Sequence, residues 1–186
     1  MKKILAIAAL AFLTLGASAQ KLGRVNFTEL YQLAPEADAA REQTNAMQAE
    51  AEETFNTMVE EYNSKASQYQ QKSSTWTAAI KEAKEKELMD IQNRVQQFQQ
   101  SFTQELQQKQ AELMNPIMEK AQKAVQDLAK AQGIVAVFDE STALYFDESA
   151  VVNLTPAARK SMGIKDGRTL EQLAQELQAQ AQAQGQ

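Results

Sequence analysis

The chain contains no cysteine and no histidine. Without thiols there is no disulfide framework, no thiolate nucleophile and no zinc site of nitrogen and sulfur ligands. Without imidazole there is no histidine base and no Ser-His-Asp triad. Stability must therefore come from packing or from assembly. Lys plus Arg number 19 against 24 Asp plus Glu, a net charge of −5, so basic surface is scarce too. That balance argues against duplex nucleic acid, or anionic lipid, as a partner held mainly by charge.

One apolar run stands out at the start. Met1-Lys2-Lys3 is a basic stretch, Ile4 to Leu15 is apolar, and Ala17-Ser18-Ala19 is a small-x-small pattern. The three together predict a secretory signal peptide over residues 1–19 and an exported protein. A retained membrane anchor is the competing reading, but about a dozen apolar residues fall short of the ~20 that span a bilayer. No cysteine follows the run, so lipid attachment at the cleavage site is excluded. Removing Lys2 and Lys3 would take the net charge from −5 to −7.

Most of the remainder has helical spacing. Leu22 to Phe27 reads as a short strand and Phe27 to Leu33 as a helix or turn. Pro35, with Glu36 and Asp38 behind it, suits a helix start. From Glu36 to Lys72, Met47, Ala51, Phe55, Met58, Tyr62, Ala66 and Tyr69 form an apolar seam on one helix face. Ser73 to Thr77 breaks the pattern with capping and turn residues. A second helix is expected from Ala78 to Gly133, with Leu88, Ile91, Val95, Phe98, Phe102, Leu106, Leu113 and Ile117 in a heptad-like stripe. Pro116 lies within it and predicts a kink. Two such helices joined by a short turn make an antiparallel hairpin, a rod with neither a large core nor a pocket. Lys81 to Glu87 (KEAKEKE) reads as a solvated face with i,i+4 pairs.

Gly133 to Ser149, GIVAVFDESTALYFDES, differs from all this. Ile134–Phe138 and Ala143–Phe146 are the expected strands of a hairpin turning at Asp139-Glu140-Ser141-Thr142, the first buried on both faces. Thr155-Pro156 is the expected N-cap and N1 pair of a short helix to Met162. The Gln/Ala-rich tail, 164–186, is expected to hold a helix over 169–178 and to end disordered. The domain reading is a β-rich body of 20–34 plus 133–163, a helical hairpin of 35–132 with its tip near 73–77, and the tail. Residues 22–34 and 133–163 amount to only 44, close to the ~40 below which a domain needs disulfides, metals or partners. Open strand edges point the same way. An obligate oligomer sharing a sheet is the expected solution.

The order of these features resembles the Skp/OmpH family of periplasmic chaperones for outer-membrane proteins, over residues 1–163. The resemblance rests on Lys21 to Tyr31 (KLGRVNFTELY), Pro35, Gln96 to Gln100 (QQFQQ), Asn115 to Lys120 (NPIMEK) and GIVAVFDESTALYF leading to VVNLTP. It implies a mainly α fold, a long coiled-coil hairpin or tentacle on a small β body assembling as a trimeric barrel. It also implies an ATP-independent holdase that encloses unfolded outer-membrane proteins, its partners being those clients, further copies of itself and weak membrane-surface contact. The best-known member of the family is strongly basic and this chain is acidic, so a basic lipopolysaccharide-binding constellation proposed in the family is not carried over.

On this reading the trimerisation residues are Val25, Phe27, Ile134, Val135, Val137, Phe138, Leu144, Tyr145 and Phe146. Candidate client contacts are Met47, Met89 and Trp76, the last set against a bland reading in which Trp76 staples the turn to Ile80. Phe55, Tyr62, Tyr69, Phe98 and Phe102 read as helix–helix packing. Asp139, Glu140, Asp147 and Glu148 cluster without a cleft, so no enzyme, cofactor or metal is expected. The alternative function is a structural coiled-coil protein of the envelope.

Overall fold

A computed structural model describes residues 20–184, and the expected signal peptide lies outside the described residues. The chain divides into two compact units: Tyr31–Glu119, and the segments up to Leu30 and from Lys120 onward.

In the first unit, helix α2 runs Pro35–Lys72, a 3-10 turn covers Ser73–Thr75, and α3 begins at Ala78 and continues to Ala131. Ala34 precedes the proline in an extended conformation (φ −60°, ψ 143°) and starts α2, with Ala37 N donating to its carbonyl at 2.9 Å. Thr77 Oγ1 accepts from Ile80 N at 3.4 Å and caps α3. At 1.5 Å per residue, 38 and 54 residues give helices of ~57 and ~81 Å. Pro116 sits inside α3 without ending it.

Burial follows the expected seams. Ala51, Ile91 and Ile117 are buried, and Phe55, Met58, Tyr62, Val95, Phe98, Phe102 and Leu106 are half-buried. A pair of helices can shield only one stripe of each, so few positions become fully dry. Polar bridges tie α2 to α3 toward the turn: Lys65 to Glu87, Tyr69 Oη to Glu85, Gln92 Nε2 to Tyr62 Oη at 2.9 Å, and Arg94 Nη2 to Glu61 Oε2 at 2.9 Å. Lys81 to Glu87, which reads as a solvated face, supplies two of these partners.

The second unit holds a three-stranded, all-parallel sheet in the order β2-β1-β3, with β1 at Lys21–Val25, β2 at Ile134–Asp139 and β3 at Val151–Asn153. Gly133 takes φ +66° just beyond α3, a left-handed conformation that glycine adopts without steric cost, and turns the chain into β2. Asn26 links β1 to helix α1 (Phe27–Gln32), its Oδ1 accepting from Glu29 N at 3.1 Å. Its own N–H donates to Thr155 Oγ1 at 2.9 Å.

Here the structure corrects the expected hairpin. Ala143–Phe146 forms no strand, and the third strand is Val151–Asn153, parallel to β1. The reason is local and appears twice. In each Asp-Glu-Ser triplet the aspartate Oδ1 accepts from the serine N–H, Asp139 from Ser141 at 3.1 Å and Asp147 from Ser149 at 2.9 Å. These Asx turns fold the chain away from β2 at both ends of 140–150, so no ladder forms. β2 is not buried on both faces either: Ile134 is buried, but Val135 is 60% exposed.

Two helix ends also differ from expectation. Thr155 is not the N-cap of α4 (Thr155–Ser161); Leu154 holds that position, and Asn153 Oδ1 accepts from Thr155 N at 2.9 Å. Thr155 Oγ1 is already engaged by Asn26. Helix α5 runs Leu170–Gln184, six residues past the expected end, instead of fraying into disorder over that span. It opens on a reciprocal capping box: Gln172 N donates to Thr169 Oγ1 and Thr169 N to Gln172 Oε1. Arg159 ties this region down, pairing with Glu29 at 2.9 Å and donating to the carbonyls of Lys165 and Arg168. Ile164 and Leu173 are buried.

Candidate functional site

The aromatic side chains of the α2–α3 pair do more than close its seam. Ala51 and Phe55 of α2, with Phe98 and Phe102 of α3, line an open cleft of about 430 Å3 rimmed by Gln48, Glu52, Gln99 and Thr103. The Phe98 and Phe102 rings stack nearly parallel, 13° apart with centroids 6.1 Å from each other. A second cleft of about 390 Å3 is lined by Val59, Tyr62, Gln92, Val95 and Gln96. The reason lies in side-chain size: Ala51 is too short to fill the space facing the phenylalanines, and glutamines flank both clefts without closing them. Their periodicity alone places these aromatics in the packing seam and predicts no pocket, which the clefts correct. The available signal was the pairing of one small seam residue with a facing Phe-x3-Phe spacing.

The turn is held by aromatic and ionic contacts. Trp76 packs edge-on against Tyr69, centroids 5.7 Å apart and planes 70° apart, so its stapling partner is Tyr69; Ile80 stays 44% exposed. The Lys65 and then the Lys84 ammonium hold the Glu87 carboxyl down to about 2. Tyr69, donating to Glu85, is raised above its ordinary value, first because that hydrogen bond requires its proton. Of the other expected client contacts, Met89 is 61% exposed and Met47 half-buried, and neither is among the residues lining these two clefts.

In the β-containing unit the expected trimerisation residues fall into three groups. Val25 and Ile134 are buried within the chain itself. Phe27, Val137, Phe138 and Phe146 are half-buried. Phe146 packs on Phe138 with centroids 5.8 Å apart, and the Arg24 guanidinium lies 4.9 Å over its ring. Arg24 also pairs with Glu140 and, at 4.0 Å, with Glu148, so those two acids serve an ion-pair cluster. Val135, Leu144 and Tyr145 stand in solvent, the last two 106% and 86% exposed. Among the described residues there is no group of three metal-ligating side chains, and no helix is long and apolar enough to cross a membrane.

Comparison with known proteins bears on this arrangement. The profile of the family described as outer membrane protein (OmpH-like) matches residues 21–162. No curated protein matches the chain. Among solved structures, one from Caulobacter crescentus CB15, described as an OmpH-like outer membrane chaperone, superposes with a TM-score of 0.67. It is 12% identical, and the match covers 79% of this chain and 86% of that one. At that identity the likeness is one of fold.

Proposed function

The chain belongs to the OmpH-like outer membrane protein family, and on that footing we propose that it is a periplasmic, ATP-independent holdase chaperone for unfolded outer-membrane proteins. The observation that carries the reading is the half-buried seam of α2 and α3, which opens into two apolar clefts instead of sealing. Such clefts offer shallow, adaptable contacts to an unfolded chain whose alternating apolar strands aggregate readily. Several weak contacts made at once by copies held together add through effective concentration, with no need of nucleotide.

The copies are held together as a homotrimer through the β-containing unit. A parallel sheet is ordinarily covered on both faces, yet β2 is an open edge carrying a 60% exposed Val135. Leu144 and Tyr145 expose large apolar side chains close by in sequence. Strands shared between three chains would cover all of these, and Val25, Phe27, Ile134, Val137, Phe138 and Phe146 would support the shared barrel from within. Client contact at Met47, Trp76 and Met89 belongs to the same proposal.

The deciding assay dilutes a urea-unfolded outer-membrane porin into buffer with and without the purified protein. Porin kept soluble at near-stoichiometric trimer is the expected result. Identical aggregation rates would remove the chaperone reading and leave a structural envelope protein. Assembly is tested separately by sedimentation equilibrium. The expected species is a trimer that Val135→Asp converts to monomer, because that change would bury an unpaired charge only at a subunit interface. A concentration-independent monomer of the unaltered chain would refute it.

A further inference from the structure

The Ala51–Phe55 cleft lies on a stretch of the α2–α3 pair whose charge is unlike the rest of the molecule, and the Val59–Tyr62 cleft lies at the edge of that stretch. From Glu42 to Glu60, α2 carries Glu42, Glu50, Glu52, Glu53 and Glu60 and no basic residue. The facing part of α3, Val95 to Glu112, adds Glu105 and Glu112 and a single cation, Lys109, which pairs with Glu112 at 3.3 Å. Seven carboxylates thus stand against one ammonium along the stretch that holds the Ala51–Phe55 cleft; the Val59–Tyr62 cleft lies at its edge, where Arg94 is already paired with Glu61 at 2.9 Å. The five glutamates of α2 are exposed, and none is paired with a cation among the described residues. Nearer the turn the balance reverses: Glu61, Glu82, Glu85, Glu87 and Asp90 face six cations, and most of the inter-helix ion pairs are there. The five glutamates of α2 therefore have no ion-pairing role in joining the helices beside the Ala51–Phe55 cleft.

A cleft of this kind favours one kind of occupant. We propose that the clefts take unfolded segments in which aromatic or aliphatic side chains alternate with lysine or arginine, in preference to acidic segments. This rests on the chaperone reading above and names the class of client it serves. The apolar side chain of such a segment enters beside Phe55, Phe98 and Phe102, and its cationic neighbours meet the carboxylates. The stacked faces of Phe98 and Phe102 also attract a lysine or arginine that crosses them. From Ala51–Phe55 to Val59–Tyr62 the helix rises ~11 Å, which an extended segment of four residues spans at ~3.3 Å each, so a single strand is long enough for both clefts. An acidic segment meets the same hydrophobic surface but is repelled within the Debye length of ~8 Å at physiological salt.

The test uses the full mature protein and two short unfolded peptides with the same alternating Phe/Val pattern, one carrying lysine and the other glutamate between them. Binding is read by fluorescence anisotropy at low and high salt. The lysine peptide should bind at least ~10-fold more tightly at low salt, with the gap closing at ~1 M salt, where the Debye length falls to ~3 Å. In Glu50→Gln/Glu52→Gln/Glu53→Gln, which alters exposed and unpaired carboxylates, the preference should fall at least ~3-fold with helicity and oligomeric state unchanged. The same number of charges removed from the other unit, Asp166→Asn/Glu171→Gln/Glu176→Gln, should leave it intact. Equal binding of the two peptides, tighter binding of the glutamate peptide, or no binding of either would overturn the proposal. So would a preference that survives the first variant or disappears in the second. The porin assay stands apart from these outcomes, so the client class can fail while the chaperone reading holds.

Discussion

Ile91 is the most informative single position on the α2–α3 pair. It is 1% exposed, whereas Met89, two residues earlier on the same helix, is 61% exposed. Ile91→Ala removes a buried aliphatic group from a seam whose other members are mostly half-buried. Deletions of this size in closed cores cost ~2–5 kcal/mol, the upper values arising where the surroundings cannot relax. Two helices side by side can relax, and the neighbouring clefts show that the seam tolerates space. The expected loss therefore sits at the lower end, about 2–3 kcal/mol. Unfolding followed through Trp76, the single tryptophan and part of the same unit, reads this directly. With a urea slope near ~2 kcal/mol/M the midpoint should fall by about 1–1.5 M, measured at one protein concentration because assembly adds stability by mass action. Met89→Ala should move the midpoint by less than a quarter of that. Equal shifts for the two variants would refute the assignment of Ile91 to the seam. A shift below ~0.3 M for Ile91→Ala would refute the idea that the seam holds the pair together.

Three further outcomes follow from the same structure. Gly23 lies on the central strand, and a Cβ there would meet Val137 Cγ2 at 3.2 Å and Ile134 Cγ2 and Leu154 Cδ1 at 3.3 Å. Gly23→Ala should thus cost ~1–3 kcal/mol by overpacking, offset by about 0.4–1 from a less flexible unfolded chain, and circular dichroism melts should show a net loss. Asn153→Ala removes the acceptor of Thr155 N and should cost about 0.5–2 kcal/mol in the same melts, with Asn153→Asp retaining most of the stability. The Glu87 carboxyl is held at about 2, below its ordinary 4.5, so its contribution is present above pH ~4.5 and disappears as pH falls toward 2. Between pH 6 and 3 the Trp76 unfolding midpoint should therefore fall further in the unaltered protein than in Glu87→Gln; parallel losses would show that the Lys65–Glu87–Lys84 cluster contributes nothing to the turn.

The helical part of the fold was legible residue by residue. The 3.6-residue period of the apolar seams, Pro35 at one end and the Ser73–Thr77 interruption at the other locate α2 and the start of α3, because helix formation depends on neighbours within a turn or two. The clefts were much less so. Phe55, Phe98 and Phe102 occupy seam positions in the periodicity whether they interdigitate or leave a gap, and only the space facing Ala51 distinguishes the two.

Strand identity went the other way. Ala143–Phe146 has a stronger β composition than Val151–Asn153, yet the latter pairs with β1. The choice was made by partners and turns distant from the strand's own residues: Arg24 engages Phe146 and Glu140 by their side chains, and Asp139 and Asp147 close turns on either side. The sequence by itself determined where the chain is helical, where it must turn and that its apolar surface exceeds what its small sheet can hide. The tertiary structure decided which segments pair, that the sheet is parallel with β1 at its centre, and that Val135, Leu144 and Tyr145 face outward. Helices satisfy their own backbone hydrogen bonds, so local sequence suffices for them. A strand satisfies its hydrogen bonds only through another segment, and its place is fixed once that segment is known.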